Sequence, residues 1–271
     1  MPEKEILGPF CVREDYNLSE DVKNNISYFR EYMYKQLAIA DDITDDTLQL
    51  ICYFSMIDCM AQETENYPTS SDRGIFCDFV LKHVRAYNYL SEVEPVTLYY
   101  RVEDSIEMIS FLEGFPKEKA ISLDSLGDLG HQLVKDIMAT GKSKEILGYI
   151  TDKRGALRSQ KYAKEHRLIE LIYRMRSKVT HELNGGLGKE GNVRKRHGKD
   201  EPYYVDVGRM YVEDGNIVSD DVYELIIPNS FVRAILVECI EGYLEECLKN
   251  QRLPFSNNDI TRKHRLSWYD K

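Results

Sequence analysis

Apolar residues return every three or four positions through six stretches of this chain, the spacing of one face of a helix. Val22, Ile26, Phe29, Met33, Leu37 and Ala40 predict an amphipathic helix over 20–40, capped by Ser19 with Glu20 and Asp21 in its first turn. A second helix, 45–65 behind a Thr44 cap, is apolar nearly all round (Leu48, Ile51, Phe54, Ile57, Met60) and so reads as central. Tyr67-Pro68 breaks it, and Phe76, Phe79, Val80, Val84 and Tyr87 predict a third helix over 74–91. Further helices are expected over 96–112, over 159–181 with Leu168, Leu171, Ile172, Met175 and Val179 inward, and over 228–249 with Val232, Leu236, Cys239, Tyr243 and Cys247 inward.

One interval departs from this period. Residues 203–212 and 217–227 are rich in Val, Ile and Tyr, and Asp214-Gly215-Asn216 between them is a turn signal, so a β-hairpin is predicted. The fold class that follows is mainly α, a helical bundle with a β-hairpin inserted before the last helix. The 271 residues suit one domain spanning the chain. Residues 113–158, with shorter helical patterns punctuated by glycines, read as an insertion. Residues 251–271 read as a C-terminal surface tail.

Charge sharpens the picture. The net charge is −10, yet 153–199 holds fourteen Lys or Arg against four acids, a net +10, and the rest of the chain carries −20. Such asymmetry suits one face to a polyanion. No apolar run is long enough to span a bilayer and the first residues do not form a secretory signal, so a soluble, cytoplasmic protein is expected. The six cysteines form no C-x-x-C pair. Cys52, Cys59, Cys239 and Cys247 fall within apolar helical patterns and are expected as reduced core residues.

Several chemistries are excluded by spacing. Gly141-Lys142-Ser143 resembles the end of a phosphate loop, but position 136 is Asp where that motif needs glycine. His181-Glu182 would need a second histidine at 185, which is Gly185. The remaining histidines show no metal spacing with Cys, Asp or Glu, and no cofactor or metal is expected.

What remains is Leu171-Ile172-Tyr173-Arg174-Met175-Arg176-Ser177-Lys178-Val179-Thr180-His181-Glu182-Leu183, an apolar helix that ends in Arg, four residues and His. This resembles the R-x(4–6)-H motif of the HEPN superfamily (higher eukaryotes and prokaryotes nucleotide-binding). Ile57-Asp58, Ala61, Phe76 and Phe79 also look like the opening of prokaryotic HEPN proteins, and the resemblance covers roughly 45–110 and 160–250. It implies a metal-independent endoribonuclease, of the toxin or phage-defence kind, that cleaves RNA by 2′-hydroxyl attack. The catalytic residues it implies are Arg176, His181 and Ser177. Ser177 departs from the Asn, Asp or His that often follows the arginine in active members. The alternative is a catalytically silent HEPN module that dimerises and binds nucleotide, RNA or protein.

Arg suits phosphate because its planar fork is permanently charged, and His exchanges protons near neutral pH. The two positions sit about 140° apart on an ideal helix, flanking the apolar stripe on its polar side. In the family, paired subunits bring both motifs to one cleft, so a homodimer is expected. Arg174, Lys178, Lys189, Arg194, Lys195, Arg196 and Lys199 are the expected RNA-binding residues. Glycines 185, 186, 188, 191 and 198 would let that segment bend around a phosphate chain. An antitoxin or other protein partner is a further expectation.

Overall fold

The computed structural model describes residues 20–64, 71–92, 94, 97, 165–182, 200–206, 209–220 and 223–254. Over these residues the chain is mainly helical, with α1 (Glu20–Asp41), α2 (Asp46–Thr64), α3 (Asp72–His83), α4 (Leu168–Glu182) and α5 (Asn229–Lys249). The predicted hairpin lies between α4 and α5. It comprises β1 (Tyr203–Asp206) antiparallel to β4 (Tyr223–Ile226), and β2 (Arg209–Glu213) antiparallel to β3 (Asn216–Asp220). The insertion 113–158, the predicted helix 96–112 apart from Thr97, and the tail from 255 lie outside the described residues.

α5 is the axis of the bundle. It buries one wide apolar face, with Phe231, Val232, Ile235, Leu236, Cys239, Ile240, Leu244 and Cys247 fully buried, packs on α1, α2 and α3, and keeps Arg233, Glu238, Glu241, Glu245 and Glu246 off that face. A face of that width is stable only when neighbouring helices cover it. Each such side chain contributes about 1.5–3 kcal/mol relative to remaining in water. Pro228 opens α5, and the carbonyl of Pro228 accepts from the N–H groups of Phe231 and Val232. Asn229 donates to Gln49 at 3.0 Å and to the carbonyl of Asp46 at 3.1 Å, which ties the starts of α5 and α2 together. Arg233 reaches both oxygens of Asp41 at the end of α1 (2.7–2.9 Å), and the Tyr53 hydroxyl donates to the same carboxylate.

The hairpin turns at Asp214 and Gly215, whose φ angles are 51° and 82°. Two successive positive φ values are what a two-residue loop needs to match the right-handed strand twist, and Asp-Gly accepts them. At its base Tyr203 and Ile226 bury against each other, and Leu225 joins the main core.

Helix boundaries correct the sequence expectations at four points. Asp45, not Thr44, caps α2, since its Oδ1 accepts from the Leu48 N–H at 2.8 Å. Leu48, expected inside, is 51% exposed in that first turn. α3 starts behind a Ser71 cap and stops at His83 rather than 91. There the chain becomes extended at Val84, and the N–H groups of Arg85 and Ala86 turn to Glu238 on α5. α4 begins at Leu168, where the backbone just before it pairs with Glu92 and Glu94: Glu94 N–H donates to the carbonyl of His166 and Leu168 N–H to that of Glu92; residues 159–164 of the predicted helix lie outside the described residues. Among the cysteines, Cys77, Cys239 and Cys247 are buried as free thiols, whereas Cys59 is exposed. None of the described helices is long and apolar enough to cross a membrane.

Candidate functional site

Burial of one stripe fixes the rotation of α4. Leu168, Leu171, Ile172, Met175 and Val179 have no solvent exposure, and they press α4 onto α2 and α3. Residues 173, 176, 177 and 180 then share the adjoining flank, by the three- and four-residue spacing of helix neighbours. Arg176 on that flank does not face open water. Its Nε and Nη2 lie 2.8 and 2.7 Å from Oδ2 of Asp58 on α2, and the two side chains are only 17% and 22% exposed. The guanidinium carbon sits 5.5 Å from the ring centre of Tyr173, one turn earlier. A cation over an aromatic face gains from the ring quadrupole.

Asp58 and Tyr173 hold the guanidinium at the α2–α4 junction. The ion pair uses the Nε–Nη2 edge of the fork. Below it, the Thr180 hydroxyl donates back to the Arg176 carbonyl at 2.8 Å, one turn earlier on the same helix. Tyr173 keeps its phenolic proton, since burial pushes its pKa up against the opposing effect of Arg176.

A second charged group lies one turn toward the start of α4. Glu170, 4% exposed in its side chain, is 2.5 Å from Arg73 of α3 and 3.3 Å from Arg167. Two arginines compensate a carboxylate that burial would otherwise penalise. The Cys77 thiol lies 3.6 Å from the same carboxylate. Burial, then the charge of Glu170, pushes its pKa well up, so it stays a thiol and makes a poor nucleophile.

The other predicted site residues are placed unevenly. Ser177 and Lys178 are half-buried on α4. Arg174 donates to the carbonyl of Glu165 at 2.6 Å, so it braces the approach to α4. The backbone of His181 is in the last turn of α4, five residues after Arg176, and its side chain lies outside the described residues. Lys189, Arg194, Lys195, Arg196 and Lys199 also lie outside them. Asp58 was not expected as a site residue. Its signal in the sequence is a carboxylate between the buried Ile57 and Met60 of an otherwise apolar helix.

Among the described residues no cluster of three or more His, Cys, Asp or Glu side chains could hold a metal ion. No family model, curated protein or solved structure matches the chain.

Proposed function

We propose that the chain is a HEPN-type endoribonuclease that cleaves RNA without a metal, as a toxin or phage-defence effector. The observation that carries this reading is the seating of Arg176. A cation fixed by Asp58 and Tyr173, partly desolvated, and five residues before a histidine on the same helix is suited to a scissile phosphate.

In this reading His181 takes the proton from the RNA 2′-hydroxyl. The 2′-oxygen bonds to phosphorus, and the bond from phosphorus to the 5′-oxygen breaks. The departing 5′-oxygen takes up a proton, which leaves a 2′,3′-cyclic phosphate and a 5′-hydroxyl. Arg176 offsets the charge that builds on the non-bridging oxygens. Positioned charge and proton transfer come from the chain's own residues. Two copies forming a homodimer would bring the two motifs to one cleft, and the basic residues 189–199 would track the RNA backbone.

A second reading has its own support. Arg176 is committed to Asp58, and Ser177 stands where active members often carry Asn, Asp or His. Both favour a silent HEPN module that binds RNA, nucleotide or a protein such as an antitoxin. Incubating the purified chain with mixed RNA in EDTA, beside His181→Ala, separates the two. Cleavage by the parent alone supports the nuclease. RNA binding with no cleavage supports the silent module.

A further inference from the structure

The outward face of α1 carries a row of large side chains that the bundle does not bury. Tyr28 is 60% exposed, Tyr32 41% and Ile39 61%, although Ile26, Met33 and Leu37 on the opposite face are buried almost completely. Single exposed apolar residues are ordinary on a protein surface, but three in line on one helix are not. Lys35 completes the row at 28, 32, 35 and 39, and its ammonium lies 2.8 Å from Glu31, both groups being well exposed.

The spacing of that row is four, three, four, the alternation of a coiled-coil seam. It reads the same from either end. An antiparallel two-fold pair centred between Tyr32 and Lys35 therefore lays Tyr28 of each copy on Ile39 of the other. The same register sets Lys35 of each copy over Tyr32 of the other, where a cation meets an aromatic face. Glu31 and Lys35 of opposite copies then stand side by side on one flank of the seam. Hydrophobic and charged partners are both satisfied by one operation, which is what an isologous interface requires.

We infer that α1 is a self-association surface, through which two copies of this chain pair antiparallel along Tyr28, Tyr32, Lys35 and Ile39. The charges argue against a polyanion as the occupant, since Glu31 flanks the row and α1 as a whole carries four acids and three bases. A 22-residue helix is about 33 Å long. One helix pair of that length gives an interface at the low end for specific complexes, so micromolar affinity is expected. α1 packs on α2 and α5, whereas α4 packs on α2 and α3. The seam does not itself bring two Arg176 side chains together, so the inference stands independently of the nuclease reading. A chain that also pairs its motifs would assemble beyond a dimer.

The test is sedimentation equilibrium of the full chain, without RNA, from about 1 to about 200 µM. Wild type should associate reversibly. Glu31→Lys and Lys35→Glu each place like charges across the seam and should weaken association by roughly tenfold, two contacts changing sign in each pair. Mixing the two variants should restore pairing as a heterodimer, and the double exchange E31K/K35E should restore it as a homodimer. Far-ultraviolet circular dichroism should show α1 intact in every variant. A monomeric wild type over the whole range overturns the inference. So does association that neither single exchange weakens, or single variants that weaken without recovery on mixing.

Discussion

Arg176 on α4 and Asp58 on α2, 118 positions apart in sequence, form an ion pair in which two guanidinium nitrogens share one carboxylate oxygen at 2.7–2.8 Å. The pair joins the helix that carries the R-x4-H motif to a central helix of the bundle. It makes Asp58 a positioning residue in the proposed reaction.

Asp58→Asn should therefore lower kcat for RNA cleavage by roughly tenfold or more with little change in KM, because the arginine loses its set orientation. Hydrogen bonds to charged groups contribute about 1.5–3 kcal/mol when largely shielded, so Asp58→Ala should also lower stability by about that amount. Arg176→Lys keeps the charge but not the two-nitrogen contact, and should recover stability less than activity in RNA binding. Steady-state kinetics beside denaturant unfolding checks this. A loss of kcat fully explained by unfolding would reduce Asp58 to a structural role.

At Gly242, α5 comes close to the end of α3. A Cβ there would lie 2.5 Å from the His83 carbonyl oxygen and 2.9 Å from the His83 Cβ. The obstruction is the backbone and Cβ of His83, which cannot swing aside as the end of a flexible side chain could. Gly242→Ala should destabilise the fold by about 1–3 kcal/mol, the usual cost of overpacking, despite alanine's better helix propensity. Thermal unfolding of the variant should show a clear drop in Tm, and an unchanged or raised Tm would mean the helices can separate freely.

Stability should also depend on pH through His83. Burial holds its pKa below the ordinary 6.5, outweighing the attraction of Glu246 and joined by the repulsion of Lys82 and Arg252. A histidine kept neutral in the folded state binds its proton more readily when unfolded. Its contribution is fully present above about pH 6.5 and is lost as pH falls toward the folded-state pKa. The fall in Tm below pH 6.5 should be less steep in His83→Gln than in wild type. Parallel curves would remove His83 from the account.

The basic segment makes a separate claim. Replacing Arg194, Lys195 and Arg196 by alanine should weaken binding of all single-stranded RNA sequences alike. It should also flatten the log–log salt dependence by about 2, the release expected for three phosphate contacts. Fluorescence anisotropy across a salt series measures both. Unchanged affinity and slope would make the segment a linker.

Much of the bundle was legible because its helices bury one periodic stripe each. Met33 and Leu37 on α1, Met175 and Val179 on α4, and Leu236 and Tyr243 on α5 all sit inside as their spacing dictates. The hairpin was legible from Asp214-Gly215, a dipeptide whose backbone freedom the turn needs. Ends were less so. The start of α4 depends on backbone pairing with Glu92 and Glu94, and the stop of α3 depends on Glu238, partners far off in sequence. The Arg176–Asp58 contact was hidden for the same reason. Spacing on one helix gives angles about its own axis, and says nothing of which neighbouring helix supplies the counter-charge.

The central claim is that Arg176 and His181 cleave RNA together. Its most direct test is the single-turnover cleavage rate of the wild type, Arg176→Ala and His181→Ala in EDTA, with the product ends identified. The wild type should cut and leave 2′,3′-cyclic phosphate ends. His181→Ala should lose about 10²–10⁴ in rate and Arg176→Ala about 10²–10³, both remaining folded at the assay temperature. Full activity in His181→Ala, activity abolished by EDTA, or no cleavage of any RNA by the wild type would contradict it.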